Sequence, residues 1–399
     1  MGEKLMKSWP ALLLIAMLPA AAAPPSWPTQ RWPQAAPEDV GLAAEPLLAM
    51  DAAFAVGKVP LVDNFLVVRC GSVAFERNYS HDYAAIYNKE AHERGPLNAR
   101  LTGRYNYFDP AWHPFYQGTD EHTMQSVSKS VTSATIGVAM ARGDFKASLD
   151  TPVLKYFDVK SVRNVDDRKR RMTLRHVLTM TTGLDWDEDV PYDDPRNGSS
   201  LMEATRDWVR FVIDRPMAHE PGSTFAYSSG ATELLAHIFK RETGQDIEQY
   251  ARRYLFTPLG IQHYYWKRTP LGVVDTEGGL YLSAKDLAKI GYLYLHDGVW
   301  DGQRLLSTQW IVDSMAPHVK LDANWKYGYQ WWLAPYGDGP RYAWAARGIG
   351  GQTLLVFPED ELVVVVTAWR ILDGTPYTLA VIGKLRPAVR DFHCASAGN

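Results

Sequence analysis

The chain has 399 residues, 46% of them hydrophobic and 22% charged, with a formal net charge of -3. That length favours two lobes around a cleft over a single compact core, and the charge balance leaves no basic surface for nucleic acid. With only Cys70 and Cys394 present, neither a disulfide framework nor a cysteine-based zinc site is available.

Residues 1–23 read as a secretory signal peptide: Lys4 and Lys7 form a basic start, ALLLIAMLPA an apolar run, and Ala21 to Ala23 a small-residue cleavage site. The run is shorter than the roughly 20 apolar residues of a membrane-spanning helix, and no cysteine follows the cut to carry a lipid. A secreted or periplasmic protein without a membrane anchor is expected. The two cysteines are expected to stay unpaired, the alternative being one bridge that pins the C-terminus to an early strand.

The proline-rich APPSWPTQRWPQAAP reads as an extended lead-in that does not pack. EPLLAMDAAFAVG has helical spacing and ends at Gly57, and FLVVRCGSVAFERN follows as a hairpin. TLRHVLTMTTGL, SGATELLAHIFKRETG and SAKDLAKIGYLYLHDG are helical, the last opening with Ser283 and Asp286 at capping spacing. QTLLVFPEDELVVVVTAW is a second hairpin, and PYTLAVIGKLRPAVRDF closes the chain as an amphipathic helix. Connections this short require antiparallel pairing. The predicted architecture is α/β: a mixed lobe of residues 24–150 and 271–399, with an antiparallel sheet flanked by the terminal helices, and an inserted all-helical lobe of residues 151–270.

Within TMQSVSKSVTSATIGVAMARG, Val127, Val131, Ala134 and Val138 recur at helical intervals, and Ser126 and Lys129 share one face. A serine in a first turn offers a backbone N–H without an intrahelical acceptor, at the positive end of the helix dipole. Desolvation beside it favours a neutral amine on Lys129, able to take the serine proton. In EPGSTFAYSSGATELL, Tyr227 precedes a helix start, and a neighbouring ammonium suits its phenol to proton relay.

In order, SVSKS, TLRHVLTMTTGLDW, EPGSTFAYSSGATELLAHI, YLFTPLGI, EGGLYLSAKDLAKIGYLYL and RGIGGQTLLVFPEDELVVVV resemble the serine hydrolases that include class C β-lactamases, DD-peptidases, related esterases and 6-aminohexanoate-dimer hydrolases. The resemblance runs from Glu38 to Ile382. It implies that Ser126 is acylated, that Lys129 accepts its proton and that Tyr227 is the partner acid or base. The 11 histidines lack ligand spacing, so no metal site is expected, and no cofactor is expected either. The backbone N–H groups of Ser126 and Ile349 become the oxyanion donors. Two departures stand out. Ser229 takes the place of a frequent asparagine, and Ala346-Arg347-Gly348 replaces a motif usually opened by Lys or His. If Ala346 faces the cleft, strand alternation turns Arg347 away. Substrate-binding residues implied here are Ser229, Arg347, Gly348 and Gly350, with Trp186 and Tyr192 from a loop bordering the cleft.

Other signals are weaker. AYSSG, with Ser228, is one residue from a nucleophile elbow but lacks the buried strand that motif needs. DWDEDVPYDD fails the calcium-loop pattern and reads as a solvated acidic loop. Tyr327, Tyr329 and Trp331 alternate on one face of an extended segment, as core or as an apolar wall for an acyl group, Trp331 being the candidate contact. The expected activity is hydrolysis of a small ester or linear amide through an acyl-enzyme. Alternatives are a β-lactamase or DD-peptidase acting on cell-wall-type substrates, and a non-catalytic binder.

Overall fold

The structure is a computed structural model; it describes residues 27–93, 105–109, 119–192, 194–322, 324–337, 341–372 and 378–394. The signal-peptide segment lies outside the described residues. An eight-stranded sheet forms the spine. Its strands are β1 (Val62–Arg69) and β2 (Ser72–Asn78) from the N-terminal part, and β6 (Val319–Lys320), β7 (Lys326–Tyr327), β8 (Trp332–Pro335), β9 (Tyr342–Gly348), β10 (Gln352–Phe357) and β11 (Leu362–Ala368) from the C-terminal part. They lie in the order β2-β1-β11-β10-β9-β8-β7-β6, and every neighbouring pair is antiparallel. The tight connections foreseen in the sequence produce this: Cys70 and Gly71, at φ 51° and 71°, turn β1 into β2.

Alternation along the strands gives the sheet two apolar faces. Phe65, Val67, Leu355, Val364 and Val366 pack under α1 (Ala44–Ala55) and the C-terminal helix α5 (Thr378–Leu385). Leu66, Val68, Leu354, Val356, Val363 and Val365 meet α4 (Ala284–Leu295) and the larger helical core. At the centre of that core lies α2 (Val127–Ala141), buried on all sides from Val127 to Ala139. Its hydroxyls survive burial because each finds an acceptor or donor: Ser130 and Ser133 donate to the carbonyls of Gln330 and Tyr329, Thr132 to Thr276 O, and Ser128 accepts from Leu280 N. The helix α3 (Ser229–Thr243) packs beside it.

Two expectations need correction. The proline-rich lead-in is packed where described: Gln34 bridges to Val73, Trp32 is buried, and Trp27 stands 5.3 Å from Trp300. Prolines prevent a helix but not docking of indoles on a neighbouring core. Cys70 and Cys394 are paired, their Cα atoms 5.2 Å apart. Buried Arg69 reinforces this tie, donating to the carbonyls of Gly41, Asp360 and Arg390. The bridge spans 324 residues of sequence, so opening it releases a long loop in the unfolded chain. Cys70→Ser, or reduction of the native protein, should cost about 2–4 kcal/mol, read as a lowered Tm or a lowered denaturation midpoint.

Candidate active site

Ser126 is the N-cap of α2 and remains partly accessible, while Lys129, one turn on, is 1% exposed. The Lys129 Nζ donates to Ser126 Oγ at 2.8 Å, to Ser229 Oγ at 3.1 Å, and to Glu277 through its backbone oxygen at 2.8 Å and Oε2 at 3.2 Å. Tyr227 completes the group: Lys129 Nζ is 5.2 Å from its ring centroid. Trp332 stacks on the Tyr227 ring at 5.5 Å, fixing its plane. Among the described residues, neither the Ser126 nor the Ile349 N–H donates to a backbone acceptor.

Local backbone geometry brings these parts together. Gln125, just before the nucleophile candidate, holds φ 48°, which re-aims the chain at the helix start. A Cβ on Gly348 would lie 2.5 Å from Met124 O, so only glycine lets the end of β9 approach the Ser126 turn. The loop that carries Glu277 is pinned on both sides: Thr276 bonds Glu233 and the Thr232 carbonyl of α3, and Thr132 of α2 bonds the Thr276 carbonyl.

A second carboxylate lies behind Ser229. Glu188 Oε1 accepts from Ser229 Oγ at 2.6 Å, and Oε2 accepts from Ser229 N at 2.7 Å and Trp186 Nε1 at 2.9 Å. Lys129 thus reaches Glu277 directly and Glu188 through a hydroxyl. Burial pulls the Lys129 ammonium down, but Tyr227, Glu277 and Glu188 outweigh it and hold the group above the ordinary lysine value of 10.5. Burial also lifts the Tyr227 phenol above its ordinary 10.0, against the pull of Lys129. Both shifts favour the protonated form of their group. The expectation of a neutral amine weighed desolvation alone, whereas Tyr227, Glu277 and Glu188 oppose it here.

A family model described as Beta-lactamase matches residues 117–370. The chain belongs to the Beta-lactamase family. As a member it is a serine hydrolase, with the antiparallel sheet and helices of the β-lactamase and transpeptidase fold. It is 27% identical over 274 residues to a 6-aminohexanoate-dimer hydrolase of Paenarthrobacter ureafaciens, covering 63% of this chain and 67% of that protein. EstCE1, a hydrolase with promiscuous acyltransferase activity, shares the fold at a TM-score of 0.63 and 15% identity, over 86% of this chain and 98% of that one. A penicillin binding protein from Bacillus halodurans does so at a TM-score of 0.56 and 20% identity, over 77% and 92%.

Within this Beta-lactamase family chain the structure brings Ser126, Lys129, Tyr227 and Ser229 into one cluster. Tyr192 borders it: burial and the nearby Glu188, Glu277, Tyr227 and Glu203 push its phenol well above the usual range. Other expectations fail. Trp331 is fully buried against Tyr294 and cannot form a substrate wall; its neighbour Trp332 is the aromatic beside Tyr227. Trp186 is buried, its ring against Gly198 and Gly230 where any Cβ would clash, and it positions Glu188 instead of presenting a face. Gly350 is buried in the turn after β9, its carbonyl bonded to Arg370 N, and Ile349 packs its side chain toward the Trp369 cluster. Ala346 faces the core with Leu354 and Val356, so the alternation runs opposite to the expected sense. Arg347 comes to the Tyr227 side, its guanidinium 4.9 Å from the Trp325 ring and 5.1 Å from that of Trp332. Ser228 is buried and caps α3 through Ala231 N, which leaves the elbow reading without support.

Sequence reasoning missed Glu188 and Glu277. The first was hidden in an acidic run read as solvated, and the second was quoted without a role, although an acid before Gly278 and Gly279 in an apolar context is a signal of burial. Breaking one side of a buried pair strands its partner. Glu277→Gln should therefore cost about 3 kcal/mol of stability, measured by denaturant unfolding. In the Lys129→Met background the same change should cost much less, because no buried ammonium is left behind.

Proposed function

We propose that the protein hydrolyses small esters or linear amides through an acyl-enzyme on Ser126. The observation that carries this is the 2.8 Å contact from Lys129 Nζ to Ser126 Oγ, with the Tyr227 ring 5.2 Å from the same ammonium. Ser126 Oγ bonds to the carbonyl carbon, and the Ser126 proton passes to Tyr227 as Tyr227 releases its own to the leaving alcohol or amine. The bond to that leaving group then breaks. Water repeats the sequence on the acyl-enzyme, freeing the acid and restoring Ser126. No ionised phenol is needed at any stage. Lys129 stays charged and stabilises the oxygen that is losing its proton, while the N–H groups of Ser126 and Ile349 hold the oxyanion. The likeness to a 6-aminohexanoate-dimer hydrolase supports acyl transfer from a linear amide. The N-terminal signal pattern and the Cys70–Cys394 bridge support export to an oxidising compartment.

A second reading, action on cell-wall-type substrates, is favoured by one observation. Arg347 stands between two indoles on the Tyr227 side and makes no hydrogen bond or ion pair among the described residues, so it is free to read a carboxylate. Ala346 has no part in this, since a lysine there would enter the core. If an anionic group is read, Arg347→Gln lowers kcat/KM at least tenfold for a carboxylated ester, about 1.4 kcal/mol, and leaves its neutral isostere unchanged. Equal losses on both substrates would reduce Arg347 to a packing role.

Fluorophosphonate labelling of Ser126, located by mass spectrometry, tests the central claim, and Ser126→Ala should abolish both labelling and turnover while melting like the parent. Substantial residual turnover in that variant sinks the mechanism. The protonation states give a pH prediction. Both the ammonium and the phenol must keep their protons, and both groups lie above their ordinary values of 10.5 and 10.0. Activity on a neutral aryl ester should hold through mildly alkaline pH and fall only as pH rises past those values. A decline centred between about 8 and 9 contradicts the assignment.

A further inference from the structure

Asp63, at the start of β1, is fully buried. Val62 pairs with Ala368 and Asn64 with Thr367, which makes Asp63 the extra residue of a bulge, a place where a strand re-aims a side chain. The Tyr83 hydroxyl donates to its Oδ1 at 2.8 Å and its Oδ2 at 2.9 Å, and His122 Nε2 lies 2.9 Å from Oδ2. The other nitrogen of the His122 ring, Nδ1, lies 3.0 Å from the Thr123 carbonyl oxygen. A carbonyl oxygen only accepts, so Nδ1 carries a proton, and a second proton sits in the contact between Nε2 and the Asp63 carboxyl. His122 is 2% exposed. With both ring nitrogens and both carboxyl oxygens engaged, neither side chain can turn without losing a buried hydrogen bond.

This pair sits behind both turns that carry the oxyanion donors. His122 and Thr123 form β3 (His122–Thr123), which pairs with β5 (Leu280–Leu282) in a small sheet completed by β4 (Tyr265–Trp266). The chain from Thr123 to Ser126 is folded back on its start: Gln125 Nε2 donates to Thr123 Oγ1 at 3.0 Å, and Val127 N donates to Met124 O at 3.1 Å. The aim of the Thr123 carbonyl therefore sets where the nucleophile turn begins. On its other side the His122 ring stands edge-on to the Trp369 indole, their centroids 6.2 Å apart. That indole backs the second turn: a Cβ on Gly350 would lie 3.3 Å from it, and Ile349 packs into its cluster. Trp369 is held in turn by its N–H on the Leu61 carbonyl, just ahead of Asp63, and by the Tyr87 hydroxyl on its own carbonyl.

We propose that Asp63 and His122 are positioning residues that set the separation of the Ser126 and Ile349 N–H groups: the pair fastens the Thr123 end of the nucleophile turn to β1 and, through Trp369, backs the Ile349–Gly350 turn. Two oxyanion donors act together only when both aim at the place one oxygen will occupy. The two turns here come from segments more than 200 residues apart, and Asp63 belongs to a third. A buried polar pair with fixed directions holds such segments in register more narrowly than apolar packing, which tolerates sliding. The effect falls on the transition state and leaves ground-state binding of substrate as it is. The inference rests on the hydrolase reading above.

The test compares a neutral aryl ester with its thionoester, in which sulfur replaces the carbonyl oxygen. Sulfur is larger and a weaker acceptor, so donors set for oxygen give a high ester-to-thionoester ratio of kcat/KM. Loss of folded protein cancels in that ratio, which leaves it a measure of donor geometry. The amide of His122→Asn can meet only one of the two partners of the ring. In that variant kcat for the ester should fall roughly tenfold to a hundredfold, with KM within about twofold of the parent and a lowered ratio. Asp63→Leu should do the same. Asp63→Asn can donate to Nε2 of a neutral His122 and accept from Tyr83, so it should keep the ratio of the parent. Tyr83→Phe releases the carboxylate on one side, should lower the ratio less, and carries the test should the His122→Asn and Asp63→Leu proteins not fold. An unchanged ratio in folded His122→Asn, or in Tyr83→Phe where that is the variant in hand, overturns this inference alone. Failure of a fluorophosphonate to label Ser126 in the parent overturns the hydrolase reading and this inference with it.

Discussion

A lysine ammonium 1% exposed in a protein core is the constraint around which this molecule is organised. Removing such a group from water costs several kcal/mol even after the surroundings relax, and the cost is met only by good geometry to an anion and full use of the donors. Lys129 has both. Its three protons face Ser126, Ser229 and Glu277, and the last supplies a carboxylate as well as a carbonyl. The nucleophile candidate is thus one of the ligands that make the buried charge tolerable. Stability and reactivity share a single arrangement, and the helix that carries it is buried on all sides.

Holding that arrangement requires backbone from distant parts of the chain. The loop with Glu277 is fastened to α2 by Thr132 and to α3 by Thr232 and Glu233. Glu188 is fastened by Trp186 and by the first residue of α3. Gly348 lets β9 press against Met124 and Gln125. The hydrogen bonds tie the loops that carry the two carboxylates to the helices, and Gly348 adds a close approach of the sheet to the Ser126 turn. A shift of one element is therefore felt at Lys129, whose four contacts all lie within 3.2 Å. Such tightness suits the proposed acyl transfer, in which charge is presented to a developing oxyanion without reorganisation.

Periodicity and spacing made the scaffold legible. The 3.6-residue stripe of Val127, Val131, Ala134 and Val138 and the two hairpins with their turns correspond to observed elements, as does the Ser283 cap, which accepts from Asp286 N at 3.1 Å. Same-face spacing likewise placed Ser126 beside Lys129. What remained hidden depends on long-range packing. No local pattern says that Glu188 turns inward from an acidic run, that Cys70 and Cys394 meet across 324 residues, or that Lys129 faces two carboxylates. The expectation of a neutral amine on Lys129 weighed the burial visible in its neighbours, while Glu277 and Glu188 come from segments far away in sequence.

The reversed facing of Ala346 and Arg347 shows how little separates two outcomes on a strand. Side chains alternate with a period of two, so a sense wrong by one residue exchanges the whole set between core and cleft. Here the core decides. Ala346 sits opposite Leu354 in the register, on the face packed against α2 and α4, where space suits a methyl group and no charge. Arg347 must then leave the core, and Trp325 and Trp332 give its planar head two faces on which to lie beside Tyr227. The indole that orients Tyr227 therefore also orients the cation. Tyr227 and Arg347, which a sequence motif treats as separate positions, are mechanically joined through the ring of Trp332.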